Sequence, residues 1–167
     1  VTTRTDIPST TTEADFRSTF RQFAAGVVVI TADAGAGPVG FTATSLASVS
    51  LRPPLVSFAL STTASSWPTI AETGGIVINF LDATQHWIAT QFATSGIDRF
   101  AAPVSWFRLG TGEPVLDGTP GHLRGEVEHR HTVGDHQLVI ARVTHTAVNP
   151  HAPLVYHDGS YGTVRRH

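Results

Sequence analysis

The chain has 167 residues, no Cys, charged residues at 14% and a formal net charge of -2 at pH 7. That length suits one domain with a real core, and the missing Cys excludes disulfides, thiolate nucleophiles and zinc–thiolate sites. Every basic side chain other than His is Arg, which excludes a P-loop lysine and a Schiff-base lysine together.

No basic run marks a nucleic-acid footprint. No apolar run approaches twenty residues and no signal-peptide pattern is present, so the expectation is a cytoplasmic protein with no membrane span. Low charge with 41% hydrophobic residues points to a surface partly covered by a partner subunit. Redox chemistry, if any, has to come from a bound cofactor.

Residues 1–12 are Thr-rich without apolar period and read as a flexible N-terminal arm, leaving 13–167 as a single domain. Thr12 offers an N-cap with Asp15 three residues on. Phe16, Phe20 and Phe23 follow at helical spacing up to Gly26, and three rings on one face read as core packing. Val27 to Thr31 is a β-branched run, hence a strand buried on both faces. Asp33 to Pro38 is a hairpin turn. Its glycines match G-x-G-x-x-G through Gly40, but no helix pattern follows and no acidic residue stands about 20 positions later, which excludes a Rossmann fingerprint.

Thr42 to Ser50 and Leu55 to Leu60 read as two strands separated by Arg52-Pro53-Pro54. Pro68 starts a short helix that Gly74-Gly75 ends. Ile76 to Leu81 is a further buried strand, and Asp82 caps a helix expected over 83–94. A loop carries Asp98-Arg99-Phe100 and Trp106. Leu123 to Val133 and Leu138 to Val148 form a long hairpin turning at Gly134-Asp135, and Leu154 to His157 with Tyr161 to Val164 make a last pair. About seven strands beside strands, with two main helices, predict a mainly β fold with flanking helices: an antiparallel β-barrel.

Between Gly40 and Ala71 the only charged side chain is Arg52, yet the stretch is loaded with hydroxyls. Two readings stand side by side: buried strands with ordinary turns, or hydroxyls and turn N–H groups that hold a phosphorylated, flat ligand. Nucleophilic hydrolysis fits poorly, because G-x-S-x-G is absent. His129 and His131 alternate on one strand face without a third ligand, so no metal site is expected and two solvated histidines result. Glu126 and Glu128 read as an outer strand face, not a catalytic acid pair. Asp135-His136 is either an exposed turn or an imidazole at a barrel mouth that steers a ligand.

The ordered set Gly40-Phe41-Thr42-Ala43-Thr44-Ser45, Ser48-Val49-Ser50, Pro53-Pro54, Ser65-Ser66-Trp67-Pro68, Asn79-Phe80-Leu81 with Gln85, Asp98-Arg99-Phe100, Gly134-Asp135-His136 and Tyr161 resembles the short-chain flavin reductases. These have an FMN-binding split β-barrel and serve two-component flavin monooxygenases. The resemblance implies an NAD(P)H:flavin oxidoreductase that transfers hydride from NADH or NADPH to FAD or FMN and supplies diffusible reduced flavin to a separate monooxygenase. It also implies a homodimer with flavin sites near the subunit interface.

By resemblance, Phe41, Thr42, Ala43, Thr44 and Ser45 lie along the isoalloxazine and ribityl chain, largely through backbone groups. The turn from Ser61 to Trp67 holds the phosphate through Ser65 and Ser66, with Ala64 where many relatives carry another hydroxyl. Asn79, Leu81 and Gln85 stand beside the flavin, and Arg99, Phe100 and Tyr161 join the pocket. His136 serves the nicotinamide side as the catalytic residue. The alternative on the same fold is a non-catalytic flavin or haem carrier.

Overall fold

The computed structural model describes residues 10–165. The expected arm lies for the most part outside them. Among the described residues there are twelve strands, where about seven were expected, and three helices, the two main ones and the short one expected at Pro68. In chain order they are α1 (Glu13–Arg21), β1 (Ala25–Gly26), β2 (Val28–Ala32), β3 (Val39–Ala43), β4 (Ala47–Leu51), β5 (Pro54–Ser61), α2 (Trp67–Glu72), β6 (Gly75–Phe80), α3 (His86–Ala93), β7 (Trp106–Arg108), β8 (Pro114–Leu116), β9 (Gly121–Val133), β10 (His136–Val148), β11 (Leu154–His157) and β12 (Ser160–Thr163). The surplus comes from three small features. They are β1 beside β11, the β7–β8 hairpin, and a break in the run expected to be one strand from Thr42 to Ser50.

That break explains the architecture. The main sheet is antiparallel, with order β3-β2-β6-β9-β10-β5-β4. The chain leaves β3 at one edge and enters β4 at the other, so residues 44–46 bridge the two ends. Ser45 fastens the bridge: its Oγ donates to the Ala59 carbonyl at 3.2 Å and accepts from the Ala59 N–H at 2.9 Å. Inside the curl Phe41 of β3 meets Phe58 of β5, ring centroids 5.9 Å apart. Two sheet ends in side-chain contact without a backbone ladder make a split barrel.

Alternation along β2 supplies both cores. Val28, Ile30 and Ala32 face inward with Phe41, Phe58, Ile76, Ile78 and Val139. Val27 and Val29 face outward with Leu81, Ile88, Phe92, Leu116 and Leu154. The strand is buried on both faces, as its β-branched run requires.

The Asp33–Pro38 segment is a turn, with Asp33 Oδ1 accepting from the Gly35 and Gly37 N–H groups. A strand follows it, as the rejection of the Rossmann reading requires. Helix α3 begins at His86, later than expected, because Asp82 turns back on Thr84 and Gln85 Oε1 accepts from the Asp82 N–H.

Helix α1 overturns one expectation. Thr12 caps it by accepting from the Asp15 N–H at 3.1 Å. Yet the helix buries no residue. Phe16 and Phe20 are each 57% exposed and Phe23 is 68% exposed. The aromatic face is real, but it does not pack into this chain's own core. Among the described residues, no helix is long and apolar enough to cross a membrane.

Candidate flavin site

The site is built at the two ends of β3. At its N-terminal end, Gly40 stands over Phe92 of α3 so closely that any Cβ would collide with the ring. β3 is an edge strand, and the Gly40 carbonyl accepts from side chains: Arg99 Nη1 donates to it at 2.8 Å and Ser66 Oγ at 3.3 Å. Arg99 also donates from Nε to the Thr94 carbonyl at 2.9 Å, and from Nη1 to Ser66 Oγ at 3.4 Å. These groups and the exposed Ser65 line a cavity of about 230 Å³ with Asp98 and Phe100. Arg99 forms no ion pair among the described residues. Burial pushes its guanidinium below its ordinary value, and the Asp98 carboxylate, which lines the same cavity, does not pair with it.

The turn between β5 and α2 carries the remaining hydroxyls. Ser61 Oγ and Thr63 Oγ1 are 3.0 Å apart. Trp67 is half-buried against the barrel core. The β9–β10 hairpin lies beside this turn, because His136 pairs in register with Ser61 and Thr62 donates from N and Oγ1 to the Asp135 carbonyl, each at 3.1 Å. His136 Nδ1 lies 2.7 Å from Asp135 Oδ1. That hydrogen bond, first among the causes, holds the Asp135 carboxyl below its usual range.

At the other end of β3, Thr44 and Ser45 line a groove of about 810 Å³ together with Phe16, Phe20, Phe23 and Tyr156. Sequence reasoning missed these aromatics as site walls. Their spacing signals a helix face but not what that face meets.

The profile of the flavin reductase like domain matches residues 20–165. The chain belongs to the flavin reductase-like family. A Rhodococcus qingshengii protein named NADH:FMN oxidoreductase is 47% identical over 152 residues, covering 88% of this chain and 79% of that protein. The reductase subunit HsaB of a Rhodococcus jostii flavin-dependent monooxygenase is 34% identical over 147 residues, 87% of this chain and 75% of the subunit. The crystal structure of a flavin reductase domain protein from Arthrobacter sp. FB24 superposes with a TM-score of 0.88 at 34% identity, covering 93% of this chain and 97% of that one.

Within this flavin reductase-like chain the residues anticipated from sequence fall into three groups. Ser61, Ser65, Ser66, Arg99, Phe100 and His136 gather around the cavity and the adjoining turn. Thr44 and Ser45 open on the groove, while Thr42 Oγ1 donates to the Ala89 carbonyl of α3 at 2.6 Å. Phe41 and Ala43 point into the barrel core, so only their backbone remains to meet a ligand.

The third group is committed to structure. Asn79 is fully buried: Nδ2 donates to Val29 O and Thr31 Oγ1, and Oδ1 accepts from the Leu116 N–H. Leu81 is 1% exposed in the outer core. Gln85 bonds the Gly118 carbonyl and Asp82 N–H. Tyr161 packs on that core beside Tyr156.

His129 and His131 are exposed with rings 5.7 Å apart, and among the described residues no group of three potential ligands could hold a metal ion.

Proposed function

We propose that this chain is an NADH-dependent flavin reductase whose phosphate subsite is the Arg99–Ser66–Ser65 cavity. The supporting observation is the half-buried guanidinium of Arg99, which bonds Ser66 and faces a cavity without forming an ion pair, although Asp98 also lines that cavity. A flavin phosphate fits that chemistry, and the chain from Gly40 to Ser45, the end of β3 and the start of the bridge to β4, then offers backbone along the rest of the ligand. The flavin supplies the hydride acceptor and reduced nicotinamide the donor. The protein's share is to hold both, which is where most of the acceleration arises when two reactants are oriented. His136, at the exposed hairpin beside the Ser61–Ser66 turn, orients the nicotinamide. No side chain has to act as a strong base.

Relatives named as oxidoreductases and as a monooxygenase reductase subunit support reduction, and delivery of reduced flavin to a separate flavin-dependent monooxygenase, over the carrier alternative. The test is absorbance at the reduced-nicotinamide band with NADH and added FMN or FAD. Consumption that depends on flavin is expected. Bound flavin with no NADH consumption would return the protein to the carrier class. His136→Ala is expected to raise KM for NADH, with flavin KM unchanged.

The working unit is a homodimer formed through α1. A nine-residue helix alone in water is marginal, and α1 meets its own chain at its end, where Arg21 Nε lies 3.2 Å from Asp158 Oδ1. Burying each of its Phe rings against a second copy is worth about 1.5–3 kcal/mol. Strand β4, with Val49 53% and Leu51 83% exposed on an unpaired edge, extends the apolar surface. Phe20→Asp is expected to convert a dimer to a monomer in sedimentation equilibrium. A wild-type chain that is monomeric at micromolar concentration removes this assembly.

A further inference from the structure

We propose that Asp135 is a positioning residue: its carboxylate keeps the proton of neutral His136 on Nδ1, so that Nε2 faces the nicotinamide as a hydrogen-bond acceptor. The inference rests on the reading of His136 given above and deepens it.

Three features on the hairpin carry the argument. First, the backbone of the turn is fixed independently of the Asp135 side chain. Gly134 takes φ +59°, the positive value that the first central residue of a two-residue hairpin loop needs. The Asp135 carbonyl accepts both Thr62 donors, and His136 is locked opposite Ser61. Second, Asp135 Oδ1 and His136 Nδ1 are 2.7 Å apart. A carboxylate accepts only, so the ring nitrogen in that contact has to carry the hydrogen. The fall of the Asp135 carboxyl below its usual range agrees with an ionised acceptor.

Third, no other protein partner engages the ring: among the described residues Nε2 makes no hydrogen bond. In a neutral imidazole a proton fixed on Nδ1 leaves a lone pair on Nε2. That lone pair suits an amide N–H donor such as the nicotinamide carboxamide. The other tautomer would present a second donor there and repel it. The ordering matters because both side chains are exposed, 46% for His136 and 93% for Asp135. Without its neighbour the ring would be free to take either tautomer.

The first readout needs no substrate. Two-bond ¹⁵N–¹H correlation spectra of histidine-labelled protein, taken where imidazoles are neutral and with His136 assigned through His136→Gln, report the tautomer. Wild type is expected to show Nδ1–H, Asp135→Ala to lose that preference, and Asp135→Glu to restore it. In kinetics Asp135→Ala is expected to raise KM for NADH about tenfold, the size of one oriented hydrogen bond, with flavin KM unchanged.

An Nε2–H ring in wild type, or a tautomer indifferent to Asp135→Ala, overturns the proposal. So does a His136→Ala variant that alters NADH kinetics while Asp135→Ala does not. If the tautomer follows Asp135 but His136→Ala leaves NADH kinetics untouched, the nicotinamide role of His136 is what has failed, and the positioning role falls with it.

Discussion

Arg124→Ala is expected to destabilise the protein by about 3–5 kcal/mol, the range seen when one partner of a buried ion pair is removed. Arg124 on β9 is 16% exposed and Glu113, just before β8, is 6% exposed. Nη2 and Nε of the guanidinium donate to Glu113 Oε1 at 2.8 and 3.1 Å, and Nη1 donates to Glu126 Oε1 at 3.1 Å and Thr144 Oγ1 at 2.9 Å. Thr111 Oγ1 donates to the other Glu113 oxygen. Gly75 on β6 lies directly against the carboxylate, where a Cβ would collide. The pair therefore fastens the β7–β8 hairpin, and with it the outer core around Leu116, to the barrel. Removing the guanidinium leaves a largely buried carboxylate without its counter-charge.

The pH dependence has a definite sign. Burial alone would raise the Glu113 carboxyl, but hydrogen bonds from Thr111 and Arg124 and the guanidinium charge outweigh it, and the group lies below its ordinary value of 4.5. A depressed carboxyl contributes stability that is fully present above that ordinary value and is lost as pH falls through the lower folded value. Urea midpoints of wild type should therefore drop below about pH 4.5. Those of Arg124→Ala, already low at pH 7, should lose less, since the guanidinium's hydrogen bonds and charge no longer hold the Glu113 carboxyl down. A constant gap between the two proteins from pH 7 to pH 3 would show that the pair is not what titrates.

The strands of this barrel were legible because their signals are local. The run from Val27 to Thr31 can only be a strand with two apolar faces, and Gly134-Asp135 between two long alternating runs can only be a hairpin turn. The small β7–β8 hairpin was not legible. Its strands are three residues each, and its stability comes from Glu113–Arg124 and from Asn79, residues far away in sequence.

The break between β3 and β4 was hidden for a similar reason. Thr44, Ser45 and Leu46 look like strand residues, and only the hydroxyl of Ser45 on Ala59 shows that the chain is crossing between sheet ends. Helix α1 is a third case. Periodicity gives a face but not its partner, so three Phe rings read as core are exposed in the single chain. At the site, the family resemblance put Asn79, Leu81 and Gln85 beside the ligand, and sequence could not show that Asn79 and Gln85 also bond Val29, Thr31, Leu116 and Gly118 while Leu81 packs in the outer core.

Arg99→Ala is expected to raise KM for FMN about 10- to 100-fold, since a hydrogen bond to a charged group is worth about 1.5–3 kcal/mol. With riboflavin, which has no phosphate, the same variant should stay close to wild type. The comparison matters because Arg99 also has a structural share: Nε donates to the Thr94 carbonyl and Nη1 to the Gly40 carbonyl. Loss of those bonds loosens the 94–99 loop against β3 and would affect both flavins alike. Only the phosphate contact discriminates between them.

Arg99→Lys keeps the charge but not the fork, so it should recover part of the FMN affinity. The contact is electrostatic, and KM for FMN in wild type should rise with added salt more steeply than KM for riboflavin. Equal losses on FMN and riboflavin would reduce Arg99 to a strut between α3 and β3. The phosphate would then have to be held by Ser61, Ser65 and the turn backbone alone, without a counter-charge. A reductase that releases its reduced flavin gains from a grip of one guanidinium and a few hydroxyls, because binding must be strong enough to orient the ring and weak enough to let it leave.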